Sequence, residues 1–377
     1  MKKILYVRNG PYKVNPNLYN LQEIGFCKEL CNLGYNCDII YYSDQNKDEI
    51  IYENNGAIVK LLWRKGIKIL RTGIYPSLLK KSFVNSYDLV ITTEYSQIMS
   101  LLWTFFEPNV VLYNGPYYNL FKIPFTEKIY DFLFVKLLNT RLEKVFVKST
   151  LSKEYLLKKG FTNIEVLGVG LDLDIFSKDV QKNNKVKNLV NIMNENRCIL
   201  YIGSLDERKN FRFTLKIFEE INSRLPDVKL VVIGKGKKRY VDKCFTDINS
   251  KVRNNIIHID KMDNKLLKFI YPKAKVFILP SKQEIFGMVL LEAMYFGVPT
   301  ITSNNGGATT LIQNYENGIV VNNFDTTEWV NEIYKLLDNI EYSNNISNNA
   351  RETIIEKYTW ENVCNKFTEI LKDDNKI

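Results

Sequence analysis

Two glutamates, Glu284 and Glu292, stand at the ends of seven residues that are apolar apart from one glycine. The preceding apolar run predicts a strand that ends near Ser281, and the later apolar spacing predicts a helix that starts near 286–287. One interpretation is a helix whose two ends lie in water. The other is that both carboxylates face a ligand, because a carboxylate in so apolar a helix needs polar partners, such as the paired hydroxyls of sugars and riboses.

The start of this helix favours a ligand. A glycine such as Gly287 lets a ligand approach the backbone closely. The N–H groups of Gly287, Met288 and Val289 would point at that ligand, since the first amides of a helix have no acceptor within it. The apolar neighbours of Glu292 on every side also favour the ligand-facing interpretation.

A second candidate site is a basic loop in the segment "YIGSLDERKNF", residues 201–211, where Arg208 and Lys209 lie between a predicted strand and a predicted helix. Ligands of open parallel sheets bind at the carboxyl ends of the strands. A helix N-terminus beside two cations attracts phosphate. A solvated basic turn is the alternative interpretation of the same residues.

Short apolar runs alternate with helical patterns along most of the chain, which predicts parallel sheets with helices on both faces. The predicted strands are 3–7, 37–42, 88–93, 110–115, 144–149, 198–203, 228–234, 255–259, 275–281, 299–303 and 318–321. The predicted helices include 21–34, 211–225 and 359–371, and the lysine-rich stretch 177–188 is interpreted as a linker or the flank of a linker. With 377 residues, the chain is therefore predicted to form two doubly wound α/β domains with a ligand cleft between them.

Charge and cysteine content narrow the possible classes of protein. Lys and Arg number 52 against 42 acidic residues, and the net charge of +10 permits a nucleic acid, a nucleotide substrate or an anionic membrane as partner. The N-terminal apolar run is too short for a signal peptide, and no run reaches the length of a membrane-spanning helix. Cys27 and Cys31 lie one helical turn apart and form a candidate metal site with Cys37, but reduced thiols in a cytoplasmic protein fit the scattered cysteines better.

Several segments together resemble the family 4 retaining glycosyltransferases. The stretch "PSKQEIFGMVLLEAMYFGVPTI", which contains Glu284 and Glu292, is similar to the E-x7-E motif of that family. Further segments that resemble family landmarks are "YIGSLDERKN" (201–210), "NNGGATTLI" (304–312), "GVGLDLDIF" (168–176) and "YTWENV" (358–363). The resemblance implies the GT-B fold, in which two Rossmann-like doubly wound domains face each other across a cleft.

The resemblance also implies a role for each matching residue. Glu292 would hold the ribose hydroxyls of a nucleotide-sugar, Glu284 would orient the donor sugar, and Lys209 would neutralise the diphosphate as it leaves. The other implied donor contacts are the backbone amides of Phe286, Gly287, Met288 and Val289, and Lys261 beside the base.

Two positions of the second domain depart from the family pattern. Ser204 stands where the family usually has an arginine, so one phosphate cation is missing, and Arg208 is the candidate replacement. Thr310 stands in place of the glutamate of the family's G-G-x-x-E turn. Phosphate binding is therefore expected to rest on Arg208 and Lys209.

The first domain departs further. Asn17 and Leu18 replace a Gly-Gly pair in the loop after the first strand, and Asn114 replaces a histidine near the sugar; we assign Asn17 and Asn114 to the acceptor and sugar pocket. An amide can hydrogen-bond a sugar but cannot act as a general base near neutral pH. The single histidine, His258, falls inside a predicted strand. The family's favoured scheme needs no histidine, metal or other cofactor, because the leaving diphosphate takes the proton of the attacking hydroxyl.

The resemblance implies an acceptor-binding domain at 1–177, completed by a crossover helix at 356–377, and a nucleotide-sugar domain at 178–355. The implied reaction is the retaining transfer of a hexose or N-acetylhexosamine from a UDP-linked donor. The expected acceptor is a glycan or lipid-linked glycan of a bacterial surface polysaccharide, such as capsule or lipopolysaccharide. We expect the protein in the cytoplasm, in peripheral contact with the inner face of the plasma membrane, and without a nucleic acid partner, because no nucleic-acid motif accompanies the charge.

A basic surface in the first domain is the candidate for membrane contact. Residues 54–87 contain seven basic residues and no acid, interleaved with apolar and aromatic segments. Such a surface suits an anionic membrane, and an ordinary solvated face is the alternative. The seven cations are Lys60, Arg64, Lys65, Lys68, Arg71, Lys80 and Lys81.

Two other functions compete with the transferase. A nucleotide-sugar epimerase or hydrolase on the same fold would need an acid–base cluster in the cleft, and the sequence offers none that we recognise. A non-catalytic basic protein that binds membranes or nucleic acid is the other alternative, and the departures at Ser204, Asn114 and Thr310 are consistent with it.

Overall fold

The computed structural model describes residues 1–16, 21–69, 71–106, 109–121 and 123–373. The chain divides into two compact units. Unit 1 contains Met1–Gly170 together with Trp360–Ile377, and unit 2 contains Leu171–Thr359. The bounds that the family resemblance implies, after residues 177 and 355, differ from these divisions by a few residues.

Unit 1 is built on a sheet that has eight strands within the described residues, in the order β10-β9-β8-β7-β1-β2-β4-β3. All neighbours are parallel except β3 and β4. Strands β5 and β6 form a separate antiparallel hairpin. The strands are β1 Lys3–Val7, β2 Asn36–Ser43, β3 Lys47–Asn54, β4 Ala57–Lys65, β5 Ile67–Ile69, β6 Thr72–Ile74, β7 Leu89–Thr93, β8 Val110–Asn114, β9 Lys144–Val147 and β10 Ile164–Val166.

The helices of unit 1 cover this sheet, and the last helix of the chain packs onto the first one. They are α1 Gln22–Asn32, α2 Lys81–Val84, α3 Ile98–Phe106, α4 Thr126–Tyr130, α5 Lys136–Arg141, α6 Thr150–Lys159 and the C-terminal helix Trp360–Asp373. A π-helical turn, Asp131–Val135, joins α4 to α5. Trp360 lies edge-on to the ring of Phe26, with ring centroids 5.8 Å apart. It fits there because Gly25 has no side chain: a Cβ at that position would lie 2.2 Å from the Trp360 Nε1.

Unit 2 is built on a parallel sheet whose described strands follow the order β13-β12-β11-β14-β15-β16. The strands are β11 Arg197–Ile202, β12 Val228–Ile233, β13 Ile256–Ile259, β14 Val276–Leu279, β15 Thr300–Ser303 and β16 Ile319–Val321. The helices are α7 Asp174–Ser177, α8 Asn184–Glu195, α9 Phe211–Arg224, α10 Lys238–Thr246, α11 Ser250–Arg253, α12 Asn264–Leu267, α13 Met288–Tyr295, α14 Ala308–Leu311, α15 Thr326–Asp338 and α16 Ile340–Lys357, with a 3-10 turn at Tyr271–Lys273.

The predicted alternation of strands and helices is confirmed in both units. Each predicted strand begins and ends within two residues of an observed strand's first and last residues. Within the stretch 177–188, predicted to be a linker or the flank of one, helix α8 begins at Asn184. The side chain of Asn183 accepts a hydrogen bond from the amide of Val186, which caps this helix. The buried residues of α8 recur at helical spacing, but lysines between them obscured the pattern.

All six cysteines are buried and reduced. Burial raises the pKa of the Cys27 thiol well above its ordinary value, which keeps it protonated. Within the described residues, no three His, Cys, Asp or Glu side chains are grouped so that they could hold a metal ion. No described helix combines the length and the apolar composition that crossing a bilayer requires.

We predict that Gly25→Ala destabilises unit 1. In an exposed helix this change usually stabilises by about 1 kcal/mol. Here the methyl group would overlap the indole of Trp360, and overpacking of this kind lowers the free energy of unfolding by about 1–3 kcal/mol. Urea denaturation of the wild type and the variant measures this difference.

The control is the same substitution in a Trp360→Leu background, where the overlapping indole is gone. Gly25→Ala should then cost much less, since neighbouring residues are energetically coupled. An equal cost in both backgrounds would show that the contact between Gly25 and Trp360 is not the cause.

Candidate functional site

Three loops of unit 2 meet at the carboxyl edge of its sheet. Strand β14 pairs with β11 on one side and with β15 on the other. The loops that follow these strands, 203–210, 280–287 and 304–307, are therefore neighbours. This edge is where ligands of open parallel sheets bind.

The first loop is shaped by Asp206. Its carboxylate accepts hydrogen bonds from the backbone N–H of Lys209 and from the hydroxyl of Ser204, both at 2.7 Å. Partial burial by itself would raise the pKa of Asp206, but these two hydrogen bonds and the nearby charges of Arg208 and Lys209 outweigh it and lower the pKa. Asp206 is thus held ionised and fixes the backbone from which Lys209 projects.

Lys209 and Glu284 form an ion pair between the first and second loops, in which the Lys209 Nζ donates to the Glu284 Oε2. Both side chains are largely buried, with 10% and 15% of their surface exposed. Arg208 lies on the same loop pair: its Nη1 is 3.6 Å from the Glu284 Oε2 and donates to the carbonyl of Gln283 at 3.0 Å. The structure therefore brings both predicted phosphate cations to the predicted sugar-binding carboxylate.

The third loop, 304–307, holds the second loop, 280–287, in place through backbone contacts. The amide of Gly306 donates to the carbonyl of Glu284 at 3.0 Å. A Cβ at Gly307 would lie 1.8 Å from the carbonyl oxygen of Phe286, so only glycine fits there. Asn305, which is fully buried, accepts hydrogen bonds from the amides of Gly307 and Ala308 at 3.0 and 3.1 Å and holds this turn.

Helix α13 begins at Met288, directly after the second loop. Gly287 precedes it with a φ of +77°, in the left-handed region that favours glycine. Phe286 and Gly287 are buried, whereas Met288 and Val289 are half-buried. The first amides of α13 have no carbonyl acceptor within the helix. Glu284 thus lies immediately before an N-terminus that favours anions.

Glu292 lies inside α13 and has no exposed surface. The hydroxyl of Tyr271 donates to its Oε2 at 2.8 Å, and Tyr271 is itself fully buried. This bond explains how a carboxyl group is accommodated in an apolar helix, because a buried polar group requires hydrogen-bond partners. The predicted contact between Glu292 and a ribose stays a prediction.

Lys261 lies apart from this cluster. It is exposed and follows β13, the edge strand of the sheet. It borders a cavity of about 620 Å³ with His258, Asp260 and Lys185. His258 is a half-buried strand residue, as predicted, and its Nε2 lies 2.9 Å from the carbonyl oxygen of Gly234. The contact between Lys261 and a base stays a prediction.

In unit 1, Asn114 has a role that differs from the predicted one. Its amide N–H groups donate to the carbonyl of Pro116 at 2.9 Å and to the hydroxyl of Ser152 at 3.0 Å. Its oxygen accepts the amide of Tyr95 at 3.2 Å. Asn114 is buried, and its amide ties loops of unit 1 together. Its predicted contact with a sugar stays a prediction. Asn17, the other predicted pocket residue, lies outside the described residues.

Only some of the seven basic side chains in residues 54–87, which were predicted to form one surface, are exposed. Arg64 is largely buried and lies 2.5 Å from the carboxylate of Asp48, because β3 pairs with β4 and brings an acid to it. Arg71 pairs with Glu94 at 3.3 Å. Lys60 is half-buried, and the exposed cations of the set are Lys65, Lys68, Lys80 and Lys81.

Sequence reasoning missed three residues that organise the site: Asp206, Asn305 and Tyr271. The first two carried a signal, since Asp and Asn shortly before a helix often accept its first amides. Tyr271 gave no such signal, because it lies in a short 3-10 turn, 21 residues before Glu292 in the chain.

Residues 182–353 match the family model described as glycosyl transferases, group 1. This region includes all three loops and α13. Thr310, which stands in place of a family glutamate, lies in the same region and donates to the carbonyl of Gly306 at 2.9 Å.

The chain is similar to several characterised and uncharacterised glycosyltransferases. It is 30% identical to an uncharacterized glycosyltransferase of Methanocaldococcus jannaschii, over 48% of this chain and 46% of that protein. It is 29% identical to the capsular polysaccharide biosynthesis glycosyltransferase CapM of Staphylococcus aureus, over 62% and 60%. It is 27% identical to the lipopolysaccharide 1,2-N-acetylglucosaminetransferase of Salmonella typhimurium, over 52% and 55%. The chain thus spans about half the length of the relatives it matches.

Solved structures match along the whole chain. Anabaena HepE, crystallised in complex with UDP and glucose, has a TM-score of 0.72 and 16% identity and covers 99% of this chain and 100% of its own. An Escherichia coli protein bound with UDP-2-fluoro glucose has a TM-score of 0.71 and 12% identity over 98% and 99% of the two chains. The chain therefore has the GT-B fold, and the predicted fold class is confirmed.

We predict that Asp206→Asn destabilises the folded protein, and that the size of this effect depends on the pH. Because its folded pKa is lowered, Asp206 contributes stability above its unfolded pKa of about 4, and this contribution is lost as the pH falls through the folded value. The variant should therefore unfold about 1 kcal/mol more easily than wild type near neutral pH. The difference should shrink at about pH 3, as measured by urea denaturation at both pH values.

Asp179→Asn is the matched control, because Asp179 is exposed. It should change the free energy of unfolding little at either pH. A difference between wild type and Asp206→Asn that stays constant from neutral to acid pH would contradict the role of the ionised carboxylate.

Proposed function

We propose, on the premise that residues 182–353 belong to the glycosyl transferases of group 1, that the chain transfers a sugar from a nucleotide-diphospho-sugar to a hydroxyl acceptor. The observation that supports this proposal most directly is the ion pair of Lys209 and Glu284 beside the N-terminus of α13. A cation and a helix N-terminus suit a diphosphate, and a carboxylate suits sugar hydroxyls. The site therefore offers partners both for the diphosphate and for the sugar of a nucleotide-sugar donor.

The proposed reaction retains the configuration of the anomeric carbon. The bond between the anomeric carbon and the diphosphate oxygen breaks, and the acceptor oxygen bonds to that carbon on the same face. The acceptor proton passes to the departing diphosphate, so this scheme requires no protein base. The protein contributes position and charge stabilisation, which act where negative charge develops on the diphosphate.

Lys209 and Glu284 exchange partners in this proposal. Without donor, each neutralises the other in a site that is largely buried. A bound diphosphate offers Lys209 a stronger anionic partner, and Glu284 then turns to the hydroxyls of the sugar. Arg208, at 3.6 Å from Glu284, adds positive charge at the same loop and takes the place of the arginine that Ser204 replaces. Asp206 holds Lys209 in place during the exchange.

Glu292 is the proposed ribose partner. It accepts a hydrogen bond from Tyr271, and a ribose hydroxyl is a donor of the same kind. Since Glu292 is fully buried, ribose binding in this proposal includes a local rearrangement around Tyr271. Lys261, at the end of β13, is the proposed neighbour of the base.

The donor we propose is a UDP-linked hexose or N-acetylhexosamine. HepE of Anabaena binds UDP and glucose, and the Escherichia coli protein binds a UDP-sugar analogue. The acceptor we propose is a glycan or lipid-linked glycan of a surface polysaccharide, at the cytoplasmic face of the membrane. The names of the relatives from Staphylococcus aureus and Salmonella typhimurium, a capsular and a lipopolysaccharide enzyme, support this class of acceptor.

We predict that the chain binds UDP in preference to GDP and ADP, with micromolar affinity, and that Glu292→Ala weakens this binding at least about tenfold, because a ribose contact is lost. Isothermal titration with the three diphosphates measures both effects.

The control is Tyr271→Phe, which removes the same buried hydrogen bond but leaves the carboxylate. If Glu292 binds ribose, the Tyr271 variant keeps most of the affinity for UDP. An equal loss in both variants would assign Glu292 to the protein core instead, and indifference to all three nucleotides would refute the donor proposal.

We further predict that Lys209→Met and Glu284→Gln each lower kcat for sugar transfer by about 100-fold or more, because groups aimed at developing charge or at the sugar contribute most in the transition state. A panel of nucleotide-sugars, assayed first for donor hydrolysis and then for transfer, measures kcat. Lys282→Met is the control, since Lys282 lies exposed on the same loop. Full activity of Glu284→Gln would contradict its role at the sugar.

A further inference from the structure

An apolar stripe lies on the outside of unit 1, along the continuous helical segment 126–141 formed by α4, the π-helical turn and α5. Its members are Phe125, Ile129, Phe132 and Leu133, which are 72%, 59%, 87% and 54% exposed. Phe125 directly precedes α4, and Ile129, Phe132 and Leu133 lie within the segment. All four side chains are more than half exposed, so they lie on its outer side. Soluble helices normally turn an apolar face inward.

The opposite face anchors the segment firmly. Tyr130 is buried, donates to the carbonyl of Tyr95 at 2.8 Å and packs against Phe134 with ring centroids 5.0 Å apart. Val135 and Leu138 lie in the core of unit 1. The apolar stripe therefore lies on a helical segment whose opposite face is packed against unit 1. Both faces of this segment carry apolar residues.

Both acids of residues 123–141 are turned away from the stripe. Lys159 forms ion pairs with Glu127 at 2.9 Å and with Asp131 at 2.5 Å. The hydroxyl of Tyr155 also donates to Glu127. These three charged side chains are each at most 20% exposed. Lys159 thus neutralises one of the two negative charges beneath the surface of the segment, and both carboxylates are engaged there.

The exposed charges of the segment are positive. Lys128 and Lys136 continue the helical spacing of the stripe and are exposed. Arg141 is exposed at the end of α5 and lies 4.3 Å from the ring centroid of Phe105, which is itself 48% exposed. Aromatic and aliphatic side chains flanked by cations match the acyl boundary and the anionic headgroups of a bilayer.

We propose that the apolar stripe and its flanking cations form the surface by which this protein inserts into an anionic lipid bilayer. The apolar side chains reach about 5–10 Å into the interface, as in other interfacial helices. Lys128, Lys136 and Arg141 contact the headgroups. This surface is distinct from the basic surface of residues 54–87, and the proposal does not depend on the sugar chemistry of unit 2.

The test uses the full chain and four sets of substitutions. The stripe variant carries Phe125→Ser, Ile129→Ser, Phe132→Ser and Leu133→Ser. Its matched control carries Ile50→Ser, Leu157→Ser and Ile340→Ser, at apolar residues outside residues 54–87 that are 58%, 50% and 73% exposed. The charge variant carries Lys128→Gln and Lys136→Gln, and its matched control carries Lys2→Gln and Lys372→Gln, at two exposed lysines of unit 1 that lie outside residues 54–87.

Flotation with vesicles of equal parts phosphatidylglycerol and phosphatidylcholine measures binding, and vesicles of phosphatidylcholine alone measure its dependence on charge. We expect the wild type to bind the anionic vesicles. The stripe variant should bind at least about tenfold more weakly and the charge variant several-fold more weakly, while both controls bind like the wild type. Circular dichroism and urea denaturation establish that all variants are folded.

Three results would overturn the proposal. The first is a wild type that binds neither kind of vesicle. The second is a stripe variant that binds as well as the wild type, or a control that loses binding to the same extent. The third is a dimer in sedimentation velocity that the stripe variant abolishes, which would make a second copy of the chain the occupant of the stripe.

Discussion

The ion pair between Lys209 and Glu284 is the interaction on which the proposed site depends. A largely buried ion pair offsets the cost of taking two charges out of water only when its geometry is good, and good geometry depends on how the backbone on both sides is held. The loop of Lys209 is fixed by Asp206, and the loop of Glu284 is fixed by the amide of Gly306. The order of the strands in unit 2, with β11 beside β14 and β14 beside β15, makes these loops neighbours.

The site also depends on close contacts between the backbones of its loops. Gly307 leaves room for the carbonyl of Phe286, and Gly287 takes a left-handed conformation just before α13. Side chains at these positions would displace the loop that carries Glu284. The site is therefore built mainly from backbone geometry, and the charged side chains project from a frame that glycines and buried hydrogen bonds determine.

Much of the fold could be predicted from the sequence because parallel sheets leave a strong pattern. Strand β1 was predicted at residues 3–7, where it lies, and the order of strands and helices gave the fold class. Strands β3 and β4 were not predicted, because polar and basic residues interrupt them and their antiparallel pairing is unusual beside a parallel sheet. That pairing also explains why Arg64 is not a free surface cation: its partner, Asp48, lies 16 residues away in the chain.

The site was predictable where sequence spacing alone sets geometry. The positions of Glu284, Gly287 and Glu292 relative to one helix follow from spacing. The burial of Glu292 against Tyr271 and the internal hydrogen bonds of Asn114 depend on tertiary packing, which one sequence does not reveal. Likewise, the outward apolar face of residues 126–141 has the same periodicity as a buried face, so only the structure distinguishes the two.

A double-mutant cycle on UDP affinity tests the central claim, that Lys209 leaves Glu284 for the diphosphate. Isothermal titration compares the wild type, Lys209→Met, Glu284→Gln and the double variant. The account predicts that Lys209→Met weakens binding, that Glu284→Gln alone does not, since it removes the competitor for Lys209, and that Glu284→Gln has no effect once Lys209 is gone. Weakening of UDP binding by Glu284→Gln to the same degree as by Lys209→Met would contradict the exchange.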